Sequence, residues 1–332
     1  MFATIAEGFV ARAPVACGPR CVVNAAGEIL CVFMVQSKLG INDFVPLMTR
    51  STDGGLTWTE PAPVFAPEIT AAWSIFCSVG PGLFLHGIRT AIGEPGESFW
   101  SDETQGMKQN EVFWSRSPDD GKSWTAPTPI PMDGPGSAEA PCPLTVTRSG
   151  RWIAAYSPYN TFDASEQVIR ERVVIAYSDD QGRTWSHRDA LRFSEPQSGG
   201  AEAWIAELSD GRLLAASWHV DHTGKHDFPN AFALSEDAGS TWTSTASTGT
   251  LGQSISLTPL PGERMLLVYN QRKHGEPGVW LAVAHPTPED FGIDHNAIAW
   301  HARRTTQHGT SAGHSEWTDF SFGEPSITLL PD

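Results

Sequence analysis

The chain has 332 residues, with 22 basic against 38 acidic side chains and a formal net charge of −16. That balance argues against nucleic acid or an anionic membrane as partner, because both repel a negative surface. No apolar run approaches the ~20 residues of a membrane-spanning helix, and the opening MFATIAE lacks the basic region of a signal peptide, which gives the expectation of a cytoplasmic protein.

Glycine (31) and proline (25) punctuate the chain too often for long helices, and 13 tryptophans against 4 tyrosines call for a repeat search. Five cysteines (Cys17, Cys21, Cys31, Cys77, Cys142) include no Cys-x-x-Cys pair and read as reduced thiols rather than disulfides or a zinc site.

The repeat is found at residues 51–58 (STDGGLTW), 117–124 (SPDDGKSW), 178–185 (SDDQGRTW) and 235–242 (SEDAGSTW). All four fit Ser-x-Asp-x-Gly-x-[Ser/Thr]-Trp, at intervals of roughly 60 residues. Asp and Ser bind nearby backbone N–H groups, Gly supplies a positive φ, and Trp plugs the gap beside the turn. Each octet follows an apolar or alternating run, such as residues 172–177 (RVVIAY), which reads as a strand. A second hairpin precedes it, as in residues 205–216 around Gly211. Each unit is therefore four strands, and such units repeated radially make a β-propeller.

Along the chain, blade one turns at Gly27, blade three at Gly150, blade four at Gly211 and blade five at Gly262; blade two is degenerate around Gly80-Pro81-Gly82. Blade five carries AHPTPED (residues 284–290) where an octet is due. Residues 324–332 read as the first strand of a sixth blade, left incomplete or closed by an N-terminal strand from residues 2–10. The whole of 1–332 forms one domain.

Propeller sites lie over the central channel, at the starts of inner strands and in the loops between second and third strands. The inner strand starts about nine residues before its turn glycine, which selects Glu202 and Gln253; Glu324 has the same place in the last segment, and Glu139 lies about two residues further back on the same strand face. The loops offer residues 36–43 with Asp43, a long blade-two insertion (86–110) with His86, Arg89 and Lys108, and residues 156–170 with Tyr159, Asp163 and Arg170. Blade four offers Trp218, a stacking platform for a sugar, with His219 and further His and Asp residues in no strong metal spacing; blade five offers Arg272. No metal or cofactor is expected.

The octet is the Asp box, and the chain resembles the sialidase superfamily of six-bladed propellers along nearly its whole length. The resemblance implies that the boxes are structural and lie away from the active face. It places the sialidase catalytic Glu on Glu202, the nucleophilic Tyr on Glu324 and the acid/base loop on Asp43. The three arginines that clamp the substrate carboxylate fall on Cys17, Trp218 and Gly278, with Arg12, Arg20 and Arg272 nearby but out of register. Sialic acid carries a carboxylate on its anomeric carbon, which repels an anionic nucleophile; a Glu at that position suits a sugar without one. The expectation is a glycoside hydrolase acting on a carbohydrate other than a simple sialoside. The alternatives are a polysaccharide lyase on a uronate, using His86, Arg89, His219, Tyr159 and Arg272, or a non-catalytic glycan-binding propeller.

Overall fold

The structure, a computed structural model, describes residues 3–66, 81–140, 142–302 and 323–330, together with the backbone of 72–79. Blade one is β1 (Ala16–Val23), β2 (Ile29–Val35), β3 (Val45–Ser51) and β4 (Ala62–Pro63), paired in chain order. Blade two contains β5 (Ala72–Val79) and β6 (Leu83–Thr90); a small hairpin, β7 (Trp100–Ser101) with β8 (Gly106–Met107), interrupts it before β9 (Asn110–Ser117) and β10 (Thr128–Ile130). In blade three the inner position is split between β11 (Ser137–Glu139) and β12 (Thr145–Val146), both on β13 (Trp152–Tyr159), followed by β14 (Arg172–Ser178) and β15 (Ser186–Arg192). Blade four is β16 (Ser198–Glu207), β17 (Leu213–Asp221), β18 (Ala231–Ser235) and β19 (Ala246–Ser247). Blade five is β20 (Gln253–Leu260), β21 (Arg264–Gln271), β22 (Gly278–Ala284) and β23 (Ile293–His301).

The architecture is an all-β propeller, and the described residues form five blades rather than the expected six. Residues 323–330 contain no strand, yet they run where a sixth inner strand would stand, between β1 and β20. Ser326 Oγ donates to Pro19 O (2.7 Å), Thr328 Oγ1 to Cys21 O, and Thr258 Oγ1 to Ile327 O (3.3 Å). Side chains, not a backbone ladder, hold this seam. The expected N-terminal closing strand is absent among the described residues: 3–10 pair with no sheet, and Glu7 accepts from Trp300 Nε1 on β23 (3.2 Å).

Second strands such as β2 (ILCVFMV) are apolar almost throughout because neighbouring blades cover both faces. One core joins Leu30 and Val32 of blade one to Leu85 and Phe113 of blade two and Ala154 of blade three; another joins blades three to five. Phe84 and Trp152 meet edge to face at 4.8 Å between blades two and three.

Each Asp box is a closed hydrogen-bonded turn. The serine hydroxyl accepts from the glycine N–H (2.8 Å at Ser51, 2.6 at Ser117, 2.8 at Ser178 and 2.8 at Ser235). The aspartate Oδ1 accepts from the next Thr or Ser N–H, at 2.7–2.9 Å. The box glycines have φ from 81° to 92°, so each needs the freedom glycine has. Boxes and turn glycines share one end of the strands, which leaves the loops between second and third strands at the other. Trp124 and Trp185 pack on the first core and Trp242 on the second. Trp124→Ala is expected to lower stability by about 2–3 kcal/mol, somewhat less than a full core truncation because the ring is half-buried. Urea unfolding checks this, and an unchanged midpoint would remove the box tryptophan from the core.

Four of the cysteines (Cys17, Cys21, Cys31, Cys142) are free thiols; only the backbone is described at Cys77.

Candidate active site

The inner strands share one irregularity. The pairing register slips between Cys17 and Arg20 in β1, between Ala201 and Trp204 in β16, and between Gln253 and Ile255 in β20. Each slip is a bulge holding a residue at positive φ: Gly18 (61°), Glu202 (50°) and Ser254 (39°). Glu324 adopts the same conformation (43°) in the seam segment. A bulge re-aims one side chain out of the strand's alternation, and a non-glycine residue held there is uncommon. The repetition marks Glu324 as the bulge residue of a sixth inner position.

These bulges gather three carboxylates and two guanidiniums in the channel. Glu139 Oε2 accepts from Glu202 N (2.9 Å). The Ser254 hydroxyl donates to the Glu202 carboxylate. Arg20, buried on β1, donates to Glu324 O (2.9 Å), and its guanidinium lies 5.7 Å from the Trp204 ring centroid. Arg272, also buried, donates to the Asn270 amide oxygen (3.1 Å), whose nitrogen in turn donates to Gln253 O (3.0 Å). Two glycines admit the charged groups: a Cβ on Gly18 would lie 2.7 Å from Glu324 Oε2, and one on Gly323 would lie 2.7 Å from Arg272 Nη2.

Burial first, then the negative charge of Glu324, pushes Glu202 up to about 7, against the Ser254 hydrogen bond and the charges of Arg272 and Arg20. Burial, then Glu202 and Glu324, pushes Glu139 up to about 8. Burial brings Arg272 down to about 10 despite both glutamates. Glu202 Oε2 is buried and has no hydrogen-bond partner among the described residues. The arrangement thus holds a carboxyl group that gains and loses a proton near neutral pH.

Carboxyls raised above their ordinary 4.5 favour the folded state fully below that value, and the contribution is lost as pH rises through about 7 to 8. His86 and His222, pushed down from 6.5, act in the opposite sense only below 6.5. The melting temperature is therefore expected to fall from pH 6.5 to beyond 8, and to fall less steeply in Glu139→Gln. Parallel slopes in a pH series of thermal melts would contradict this.

The Asp43 carboxylate accepts from Ser37 N (3.2 Å) within its own loop. His86, expected at the substrate, is instead a core residue of β6. It is 0% exposed, with Nδ1 2.6 Å from Cys142 O, and burial pushes it down to about 4. Propeller strands are covered on both faces, so alternation alone could not distinguish channel from core. His219 is likewise a packing residue, sandwiched between Phe193 (4.5 Å) and Phe228 (4.4 Å), with Ser198 Oγ 3.1 Å from Nε2. Arg89 is ion-paired with Glu111 on the neighbouring strand, and Lys108 with Glu97. Asp221 folds the blade-four loop by accepting from the N–H groups of Thr223, Lys225 and His226. Trp218 and Gln253 line a cleft between blades four and five with Phe228 and Lys273. Tyr159, nearly buried at the end of β13, feels the charges of Glu139 and Glu202. Arg20, Ser254 and His222 were not singled out as site residues by sequence reasoning; Gly18-Pro19 before Arg20 was the available hint of an irregular strand.

Comparison with known proteins agrees with this architecture. The family model described as BNR/Asp-box repeat matches residues 176–187, the third box. A sialidase of Bacteroides fragilis (strain YCH46) is 25% identical over 252 residues, covering 68% of this chain and 42% of that protein, so the chain spans less than half its relative's length. Among solved structures, a protein of unknown function from Dyadobacter fermentans superposes with a TM-score of 0.68 at 20% identity, over 89% of this chain and 84% of that one. The Hadza microbial sialidase Hz136 gives 0.63 at 18% identity (85% and 58%), and the NanB sialidase of Streptococcus pneumoniae 0.59 at 15% (86% and 62%). Its four Asp boxes and its propeller architecture make this chain similar in fold to the sialidase-like Asp-box β-propellers.

Proposed function

We propose that the chain is a glycoside hydrolase acting on a glycan at the channel carboxylates. The observation that carries this reading is Glu202: buried, with an uncommitted oxygen, pushed to about 7, and next to the charge of Glu324. Glycoside hydrolysis needs two carboxyl groups flanking the bond, one of them able to carry a proton. Glu202 is the proton carrier and Glu324 the nucleophile, while Glu139 holds the Glu202 backbone in place. Asp43 is tied to its own loop, so proton transfer falls to Glu202. Arg20 and Arg272 already serve Glu202 and Glu324, which supports a reacting sugar without a carboxylate on its anomeric carbon.

The test is a panel of aryl glycosides and defined oligosaccharides with products identified by mass spectrometry. Addition of water across a glycosidic bond is the expected result. An unsaturated product absorbing in the near ultraviolet would identify a lyase instead. No product from any member would favour the glycan-binding propeller, and efficient release of sialic acid from an aryl sialoside would overturn the substrate assignment.

A further inference from the structure

A second polar cluster lies beside the carboxylates, on blades three and four. Arg170 enters β14 and His222 follows β17, and the inner strand β16 passes between them at Gly199. A Cβ on Gly199 would lie 2.6 Å from Arg170 O and 2.8 Å from His222 Nε2. Gly200 likewise lets β16 approach Val173, where a Cβ would lie 2.3 Å from a side-chain methyl. The Gly-Gly pair before Glu202 therefore brings blade three's Arg170 and blade four's His222 to the same wall. Arg172 N donates to Arg170 O (2.7 Å), which fixes the arginine's backbone. Tyr159 meets His222 edge to face at 5.9 Å and Trp100 at 6.3 Å.

What sets this cluster apart is its unused hydrogen-bonding capacity. Arg170 is part-buried, its Nη1 is buried without a partner, and among the described residues no carboxylate lies within ion-pair distance of it. His222 Nε2 is buried without a partner as well. A partly desolvated guanidinium with no ion-pair partner in contact, only the charge of the adjacent Glu171, is costly, and its planar fork suits a carboxylate or sulfate group. The imidazole Nε2 adds a directional polar group, and the Tyr159 ring, itself packed on Trp100, lies beside it. The charged neighbours are Glu171, which acts on Arg170, Asp221, which acts on His222 and is tied to its own loop by the N–H groups of Thr223, Lys225 and His226, and Glu139 and Glu202, which act on Tyr159 and whose burial favours their protonated forms.

We infer that Arg170, His222 and Tyr159 form a subsite for an anionic substituent, a carboxylate or a sulfate ester, on a sugar of the glycan adjacent to the reacting one. This rests on the reading of the channel as a glycan site. It separates two recognition tasks: the reacting sugar faces Glu202 and Glu324, and its neighbour carries the charge.

The test is binding, so it stands whether or not the chain hydrolyses. Glu202→Gln protein, in which turnover is removed, is titrated calorimetrically at low and high salt. The probes are an oligogalacturonate and an oligoglucuronate, each paired with its carboxyl-reduced form, and a sulfated galactan oligosaccharide paired with its desulfated form. At least one acidic member should bind about tenfold or more tighter than its neutral partner, with the preference shrinking in salt. The pair showing the preference distinguishes carboxylate from sulfate. In the Glu202→Gln/Arg170→Gln double variant the preference should vanish, neutral-glycan affinity should change much less than acidic-glycan affinity, and the melting temperature should not fall; Arg170→Lys should restore part of the preference. No acidic preference in any pair, including no binding at all, overturns the inference, as does a preference that survives Arg170→Gln. Hydrolysis of neutral glycans with equal affinity for acidic ones would sink this inference alone and leave the hydrolase reading intact.

Discussion

Glu202→Gln is expected to reduce glycan turnover by about 10²–10⁴-fold while leaving the fold intact. Glutamine keeps the size of the side chain and the contact with Ser254, and the backbone N–H still donates to Glu139. What it loses is the proton that the buried carboxyl exchanges near pH 7. Removing a titratable group from a site that disfavours its charge leaves the melting temperature unchanged or slightly raised. The comparison is Asp43→Asn, which should keep most of the rate because the Asp43 carboxylate is engaged with Ser37 N in its own loop. Initial rates on whichever substrate the panel identifies, together with thermal melts, settle the matter. A fully active Glu202→Gln enzyme would sink the hydrolase proposal in this form.

Arg272→Ala should be the most destabilising single change at the channel, costing about 3–5 kcal/mol. The guanidinium is 5% exposed and faces Glu202 and Glu324, with the Asn270 amide bridging it to β20. Alanine leaves the carboxylates with Arg20 as remaining counter-charge and opens a cavity. Adding Glu202→Gln to Arg272→Ala removes one uncompensated charge, so the double variant should recover part of the loss. Urea titration of the four proteins closes the cycle. Strict additivity would mean that Arg272 contributes packing alone and does not balance Glu202.

Much of this was legible in the chain. An Asp box closes within eight residues on its own serine, aspartate and glycine, so its turn chemistry can be read anywhere it occurs. The order of blades one to five followed from those boxes and from the turn glycines, whereas the expected sixth blade and its N-terminal closing strand are absent among the described residues. Glu139, Glu202 and Glu324 were selected by distance from a local turn, and the structure brings these three carboxylates close enough to act on one another.

The rest depended on ring closure. Bulges at Gly18, Glu202 and Ser254 shift the alternation by one residue, so Arg20 enters the channel although counting pointed to Cys17. His86 satisfied the pattern of a loop residue and lies in the core, because strands covered on both faces carry no alternation to separate the two. Arg170 and His222 sit on different blades and meet only because Gly199 admits both. By itself, then, the sequence determined the repeat, the order of blades one to five and which carboxylates start the inner strands, all of which rest on contacts a few residues apart. Which charges face one another across the channel was decided by tertiary structure alone, since those partners are brought together only when distant blades close around a common axis.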